Sequence, residues 1–130
     1  MGAATPKDYV AIGHVCVDRL TTGDRLGGTV FFSAGQAATM GHHVRVVTAC
    51  TAPTAAAARE RLPAGTTLDV AATDADTCFE FSAAAELGPQ RLLSRASTIT
   101  DVPAAADGGI WHLAPVFAEL APELIASARD

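Results

Sequence analysis

Apolar and polar positions along the chain fall into short segments with a regular order. Residues 9–17, YVAIGHVCV, are mostly apolar and rich in β-branched side chains, bounded by Asp8 and Asp18. That is the pattern of a strand buried on both faces in a parallel sheet. Gly13 interrupts it, as glycine does where another backbone or a ligand comes close. Residues 18–26 read as polar and turn-like, and Gly27-Gly28 leads into small and aromatic residues. These predict a helix from Phe31 or Phe32 to Met40, closed by Gly41 as a C-cap. Residues 43–50, HVRVVTAC, form the next expected strand. Strand, glycine turn, helix, glycine cap and strand make a βαβ-like order, which implies a parallel sheet and the α/β class.

The remaining segments continue in kind. A helix is expected over residues 53–62 with Pro53 in its first turn, and a short strand over 68–72. Two alternating segments, TCFEFS (77–82) and QRLLSRA (90–96), read as a hairpin joined through Gly88-Pro89. GIWHL (109–113) is a further strand, and residues 116–128 a helix after Pro115. No repeat or charge block divides the chain, so residues 1–130 read as one domain with a small β excursion.

Composition narrows the chemistry. With 130 residues, 49% hydrophobic and 18% charged, the chain is long enough to bury a core without disulfides or metal. A net charge of -5 without any Lys/Arg cluster argues against a nucleic-acid or anionic-membrane partner. Lys7 is the sole lysine, which removes a P-loop lysine and a Schiff-base lysine. No two glycines stand at i, i+2, so the dinucleotide fingerprint is absent, and no serine lies in Gly-x-Ser-x-Gly. Cys16, Cys50 and Cys78 are odd in number and lack a Cys-x-x-Cys, as expected of buried reduced thiols in a cytoplasmic protein. The first residues lack a signal-peptide stretch, and no run reaches membrane-spanning length. His14 and His112, on apolar strands, read as satisfied core histidines, and His42-His43 as a turn; without ligand spacing no metal site is expected.

Residues 27–41, GGTVFFSAGQAATMG, follow the strand that ends in Asp18 after the polar turn-like stretch. They resemble the first signature of the ribokinase-like (PfkB) carbohydrate and nucleoside kinases, in which a Gly-Gly pair opens a helix that closes on glycine. TCFEF and QRLLSRA resemble the strands of that family's substrate lid, and IWHLAPVFAEL the strand and helix that follow. The resemblance implies a ribokinase-like three-layer α/β sandwich with a mainly parallel sheet and a small β lid. It implies that Asp18 accepts hydrogen bonds from substrate hydroxyls, that Gly27 and Gly28 let the substrate approach the backbone, and that the substrate is a sugar, cyclitol or nucleoside. It also implies ATP and Mg²⁺.

The family's second signature, a Gly-x-Gly-Asp turn, is missing from these residues, and Thr22-Gly23-Asp24 lies in the loop before the first helix. Backbone donors for the transferring phosphate and a base for the acceptor hydroxyl are therefore lacking. No catalytic residue is assigned, and most of the ATP and Mg²⁺ site falls outside the chain. Residues 1–130 read as the N-terminal, acceptor-substrate part of a truncated kinase domain, inactive alone. The alternative is a non-enzymatic binding or oligomerising module derived from that fold, with a homo-oligomer formed through the unfinished sheet or the lid. Arg91 and Glu119 are expected on a solvated face, and Phe79, Phe81, Trp111 and Phe117 in the core. Phe31 and Phe32 are expected to pack, or to line an apolar part of the pocket.

Overall fold

The computed structural model describes residues 5–81, 90–103 and 108–127. The chain runs β1 (Asp8–Ile12), β2 (Cys16–Leu20), β3 (Gly23–Gly27), α1 (Thr29–Thr39), β4 (His43–Cys50), α2 (Ala52–Arg61), β5 (Thr67–Ala72), β6 (Cys78–Phe81), β7 (Gln90–Ser94), β8 (Ile110–Leu113) and α3 (Pro122–Ser127). Two four-stranded sheets result, in the orders β5-β4-β1-β8 and β3-β2-β6-β7. The first is parallel throughout, with Ala11 opposite Val46 and His112. In the second, β2 pairs antiparallel with β3 and parallel with β6, and β6 pairs antiparallel with β7.

Period-2 alternation divides the core between the two faces of the parallel sheet. Ala11, Val44 and Val46 pack with Val30, Ala34 and Ala37 of α1 and with Ala58 and Leu62. Val10, Ile12, Val47 and Ala49 point the other way, onto Ala96, Ile99, Leu120, Ala121 and Leu124. The buried stripe of α1 falls at i, i+4 and i+7 and is small apart from Val30, which lets the helix lie close to the strands. The three-layer α/β arrangement expected from the sequence is therefore present.

Three expectations need correction. The apolar run 9–17 is two strands, because the chain crosses from one sheet to the other at residues 13–15. Gly13 N–H donates to Val47 C=O at 3.1 Å, and Val15 N–H to Thr48 Oγ1 at 2.9 Å, so this connection is bound like a strand without continuing the ladder. A Cβ on Gly13 would collide with the carbonyl of Ala114, which is why only glycine fits. Asp18 consequently stands in the middle of β2. Second, residues 18–26 are a hairpin: Asp18 faces Arg25 and Arg19 faces Asp24 across β2 and β3, and such charged pairs give no apolar alternation to read. Gly23-Asp24 thus opens β3. Third, the helix expected over 116–128 is confined to α3; residues 114–121 form an irregular loop in which Ala118 has φ 51°.

Other boundaries shift by a few residues. α1 starts at Thr29, and its N-cap Gly28 adopts φ 94°. Gly41, just after α1, has φ 92°, as a C-cap glycine requires. The pairing of β6 with β7 is the expected hairpin, while Ser82, the Gly88-Pro89 connection and Ala128 lie outside the described residues. Among the described residues no helix is long and apolar enough to cross a membrane.

Candidate functional site

A concavity of about 460 Å³ opens between the second sheet and the carboxyl ends of β1 and β8. One wall is Cys16 and Asp18 of β2 with Gly28, Thr29 and Phe32 at the start of α1. Phe79 and Phe81 of β6 and Gln90 of β7 form another, and Pro115 and Val116 of the loop after β8 form the rim. Ligands of open α/β sheets gather at this end, where strand ends leave a crevice.

Asp18 is 9% exposed, and its Oδ2 lies 3.9 Å from Arg25 Nε, a distant pair whose guanidinium stays mostly in water. Among the described residues no group donates a hydrogen bond to it. Burial pushes its carboxyl above the ordinary aspartate range, with Arg25 partly opposing. A half-desolvated carboxylate with free lone pairs is suited to accept hydrogen bonds from ligand hydroxyls. Gly27 makes room for it, since a Cβ there would overlap the Asp18 carboxylate. Gly28 is needed twice over: its φ is positive, and a Cβ would run into His14 C=O. The Gly28 carbonyl accepts the N–H of Phe31 at 3.1 Å, and no side chain among the described residues caps the helix, whose first residue, Thr29, lines the crevice. A carboxylate acceptor and helix-terminal donors together match a hydroxyl, which both gives and takes hydrogen bonds.

The three residues singled out in the sequence, Asp18, Gly27 and Gly28, therefore meet at one place. The aromatic residues divide differently from expectation. Phe79 and Phe81 are half-buried on the pocket wall rather than in the core, and Phe32 is 60% exposed at its mouth, edge-to-face with Phe31. Trp111 is half-buried against the second core cluster, and Phe117 is exposed beneath Arg95. Arg91 is exposed and paired with Glu80 at 3.7 Å, as a solvated face predicts. Glu119 is the opposite of that expectation. It is fully buried, and its carboxylate takes backbone N–H groups from two loops. Charge and position in an assumed helix concealed it; the loop backbone that needs an acceptor is not visible in a sequence.

His14 is the satisfied buried histidine expected, although it sits in the β1–β2 crossing rather than on a strand. Its Nε2 lies 2.7 Å from Ser97 C=O and its Nδ1 2.7 Å from Thr77 Oγ1, while Thr77 Oγ1 also accepts Ala96 N–H. The neutral ring thus donates from Nε2 and accepts at Nδ1. Burial holds its pKa below 6.5, against smaller opposing effects of Ser97 and Glu119. The three cysteines are buried and unbridged. Burial pushes the Cys16 thiol up to about 12, so the sulfur in the pocket stays protonated and is no nucleophile.

The carboxylates described at this site do not form a Mg²⁺ site. Glu119 is consumed by backbone amides, Asp18 stands without a second carboxylate, and among the described residues no three His, Cys, Asp or Glu side chains gather as a cation would need.

No family model matches the sequence, and no curated protein matches it. Solved structures do. A pyrophosphate-dependent kinase in the ribokinase family, complexed with a pyrophosphate analogue and myo-inositol, superposes with a TM-score of 0.72 at 21% identity, over 93% of this chain and 45% of that one. This chain has the ribokinase-like fold. A sulfate complex described as a pyrophosphate-dependent kinase in the ribokinase family gives 0.72 at 20% identity, over 93% and 46%. A variant converting a pyrophosphate-dependent myo-inositol-1 kinase into a myo-inositol-3 kinase gives 0.71 at 22%, over 93% and 44%. The chain spans less than half the length of these ribokinase-like structures. In its own ribokinase-like fold, the parallel sheet carries the core and the second sheet stands over the crevice as a lid.

Proposed function

We propose that residues 1–130 form the acceptor-binding part of a kinase that phosphorylates a hydroxyl of a sugar, cyclitol or nucleoside. The observation that carries this reading is Asp18: a carboxylate that lines the crevice beside the start of α1, accepts no hydrogen bond from the described residues, and has its place made by the absence of a side chain at Gly27. The half-exposed Phe79 and Phe81 suit the C–H face of a ring whose hydroxyls reach Asp18. One matched structure contains myo-inositol, which favours a cyclitol as the first acceptor to test. The same structures are pyrophosphate-dependent, so the phosphoryl donor is ATP or pyrophosphate, bound with its metal by residues beyond those of this site. Without a Gly-x-Gly-Asp turn, these residues bind the acceptor and do not transfer phosphate. Reduced thiols at Cys16, Cys50 and Cys78 accord with a cytoplasmic enzyme.

Calorimetric titration with myo-inositol, ribose and adenosine tests the proposal. One of them binds, and Asp18→Ala weakens that binding by about tenfold or more, the loss of a hydrogen bond to a charged group. Equal binding by the variant removes Asp18 from the site, and turnover of ATP or pyrophosphate by these residues alone contradicts the division of labour.

A second reading is a non-enzymatic module that associates through its sheet. Its support is β8, at the edge of the parallel sheet as described, whose four residues are all half-buried and whose Trp111 Nε1 finds no partner among the described residues. Light scattering separates the two: a discrete dimer favours association, a monomer that binds polyol favours the acceptor site.

A further inference from the structure

We infer that Glu119 is a positioning residue for the acceptor site, tying the β1–β2 crossing to the loop after β8 so that the two sides of the pocket keep a fixed relation. This rests on the acceptor-site reading. Glu119 Oε1 accepts Val116 N–H at 2.7 Å and His14 N–H at 3.3 Å, and Oε2 accepts Phe117 N–H at 2.7 Å. A carboxylate only accepts, and here every partner only donates. The first two donors belong to segments far apart in sequence. His14 leads directly to Cys16 on one wall, and its carbonyl accepts the Cys16 thiol at 3.3 Å and abuts Gly28. Val116, with Pro115, is the rim opposite.

The backbone around Glu119 is organised for this bond. Ala118 adopts φ 51°, a left-handed conformation that a non-glycine residue takes at a cost, and the turn it makes carries the Val116 and Phe117 amides over the carboxylate. Glu119 C=O in turn accepts Ile99 N–H at 2.7 Å, and Arg95 donates to Ala118 C=O, so the loop is held from both sides. Among the described residues this fully buried carboxylate has no Lys or Arg partner, so its charge is offset by the three backbone amides it accepts, which would be left unsatisfied without it. What it provides is direction: three amides from two loops converge on one group.

Nuclear magnetic resonance on the whole chain, with Glu119→Gln, tests this. The glutamine oxygen still accepts one set of amides, but its NH₂ meets an N–H where the second oxygen accepted. Amide exchange at His14, Val116 and Phe117 is expected to accelerate by about tenfold, the resonances of Cys16 and Gly28 to move, and the affinity for myo-inositol to fall by a similar factor. Glu119→Asp keeps the charge but is too short to reach both loops, and serves with the same readouts if the glutamine variant does not fold. Changes confined to residues 116–119, with Cys16 and Gly28 unmoved, overturn the inference. Failure of the unmodified chain to bind myo-inositol counts against the acceptor, while the response of Cys16 and Gly28 still decides the role of Glu119.

Discussion

The two sheets of this molecule are built on different principles. In the parallel sheet, Ala11, Ile12, Val46 and Ala49 are wholly buried, and both faces are covered by helices or loops. In the second sheet, β7 has no buried residue, Phe79 and Phe81 are half-buried, and charged side chains pair across its strands, as Arg19 with Asp24 and Arg91 with Glu80. Exposed pairs of this kind add little stability. The first sheet is held by apolar burial, whereas the second lines a concavity with half-buried aromatic side chains. Stability and binding should therefore respond to mutation in different places.

The largest stability effect belongs to the parallel sheet. Ile12→Ala, at a fully buried site, is expected to cost about 3 kcal/mol by denaturant unfolding. Loss below about 1 kcal/mol would mean that the sheet is looser than its burial indicates. Next comes the junction between the sheets. Gly28→Ala demands a strained φ and a clash with His14 C=O, and should cost about 2 kcal/mol while also displacing the α1 terminus. The lid should reverse the order of effects: Phe81→Ala is expected to change stability by less than about 1 kcal/mol yet weaken acceptor binding severalfold. A Phe81 variant as destabilised as Ile12→Ala would erase the distinction.

The smallest effect is one of pH and falls on the His14 junction. Its folded pKa lies below 6.5, so between the folded and unfolded values the unfolded chain binds more protons. The stability His14 contributes is complete above about pH 6.5 and is lost as the pH falls below it. Urea unfolding at pH 7.5 and 5.5 measures this, and His14→Gln should reduce the difference; an unchanged difference would assign it elsewhere.

Much of the parallel sheet could be read from the chain because burial on both faces writes itself as apolar runs. β4 matches residues 43–50 to the residue, and α1 and its closing Gly41 follow from small residues and a positive φ. The second sheet was harder. Its β2–β3 hairpin has charged residues on facing positions and no apolar period, so residues 18–26 looked like a turn. The break at Gly13 depends on a carbonyl 101 positions away, that of Ala114, which no local pattern reveals. Asp18, Gly27 and Gly28 are named together through the family resemblance that the glycine pair carries, and the fold brings them side by side, Gly27 against the Asp18 carboxylate and Gly28 on the same wall. Glu119 was not, since its three partners are backbone amides.

The central claim, that an acceptor hydroxyl sits beside Asp18 between the two sheets, is tested most directly by mapping amide shifts during a myo-inositol titration. Perturbations are expected to concentrate at Cys16, Asp18, Gly28, Thr29, Phe79 and Phe81. Perturbations centred instead on the smaller cavity of about 220 Å³ at the opposite end of the strands, around Tyr9, His43, Arg45 and Thr67, would contradict it.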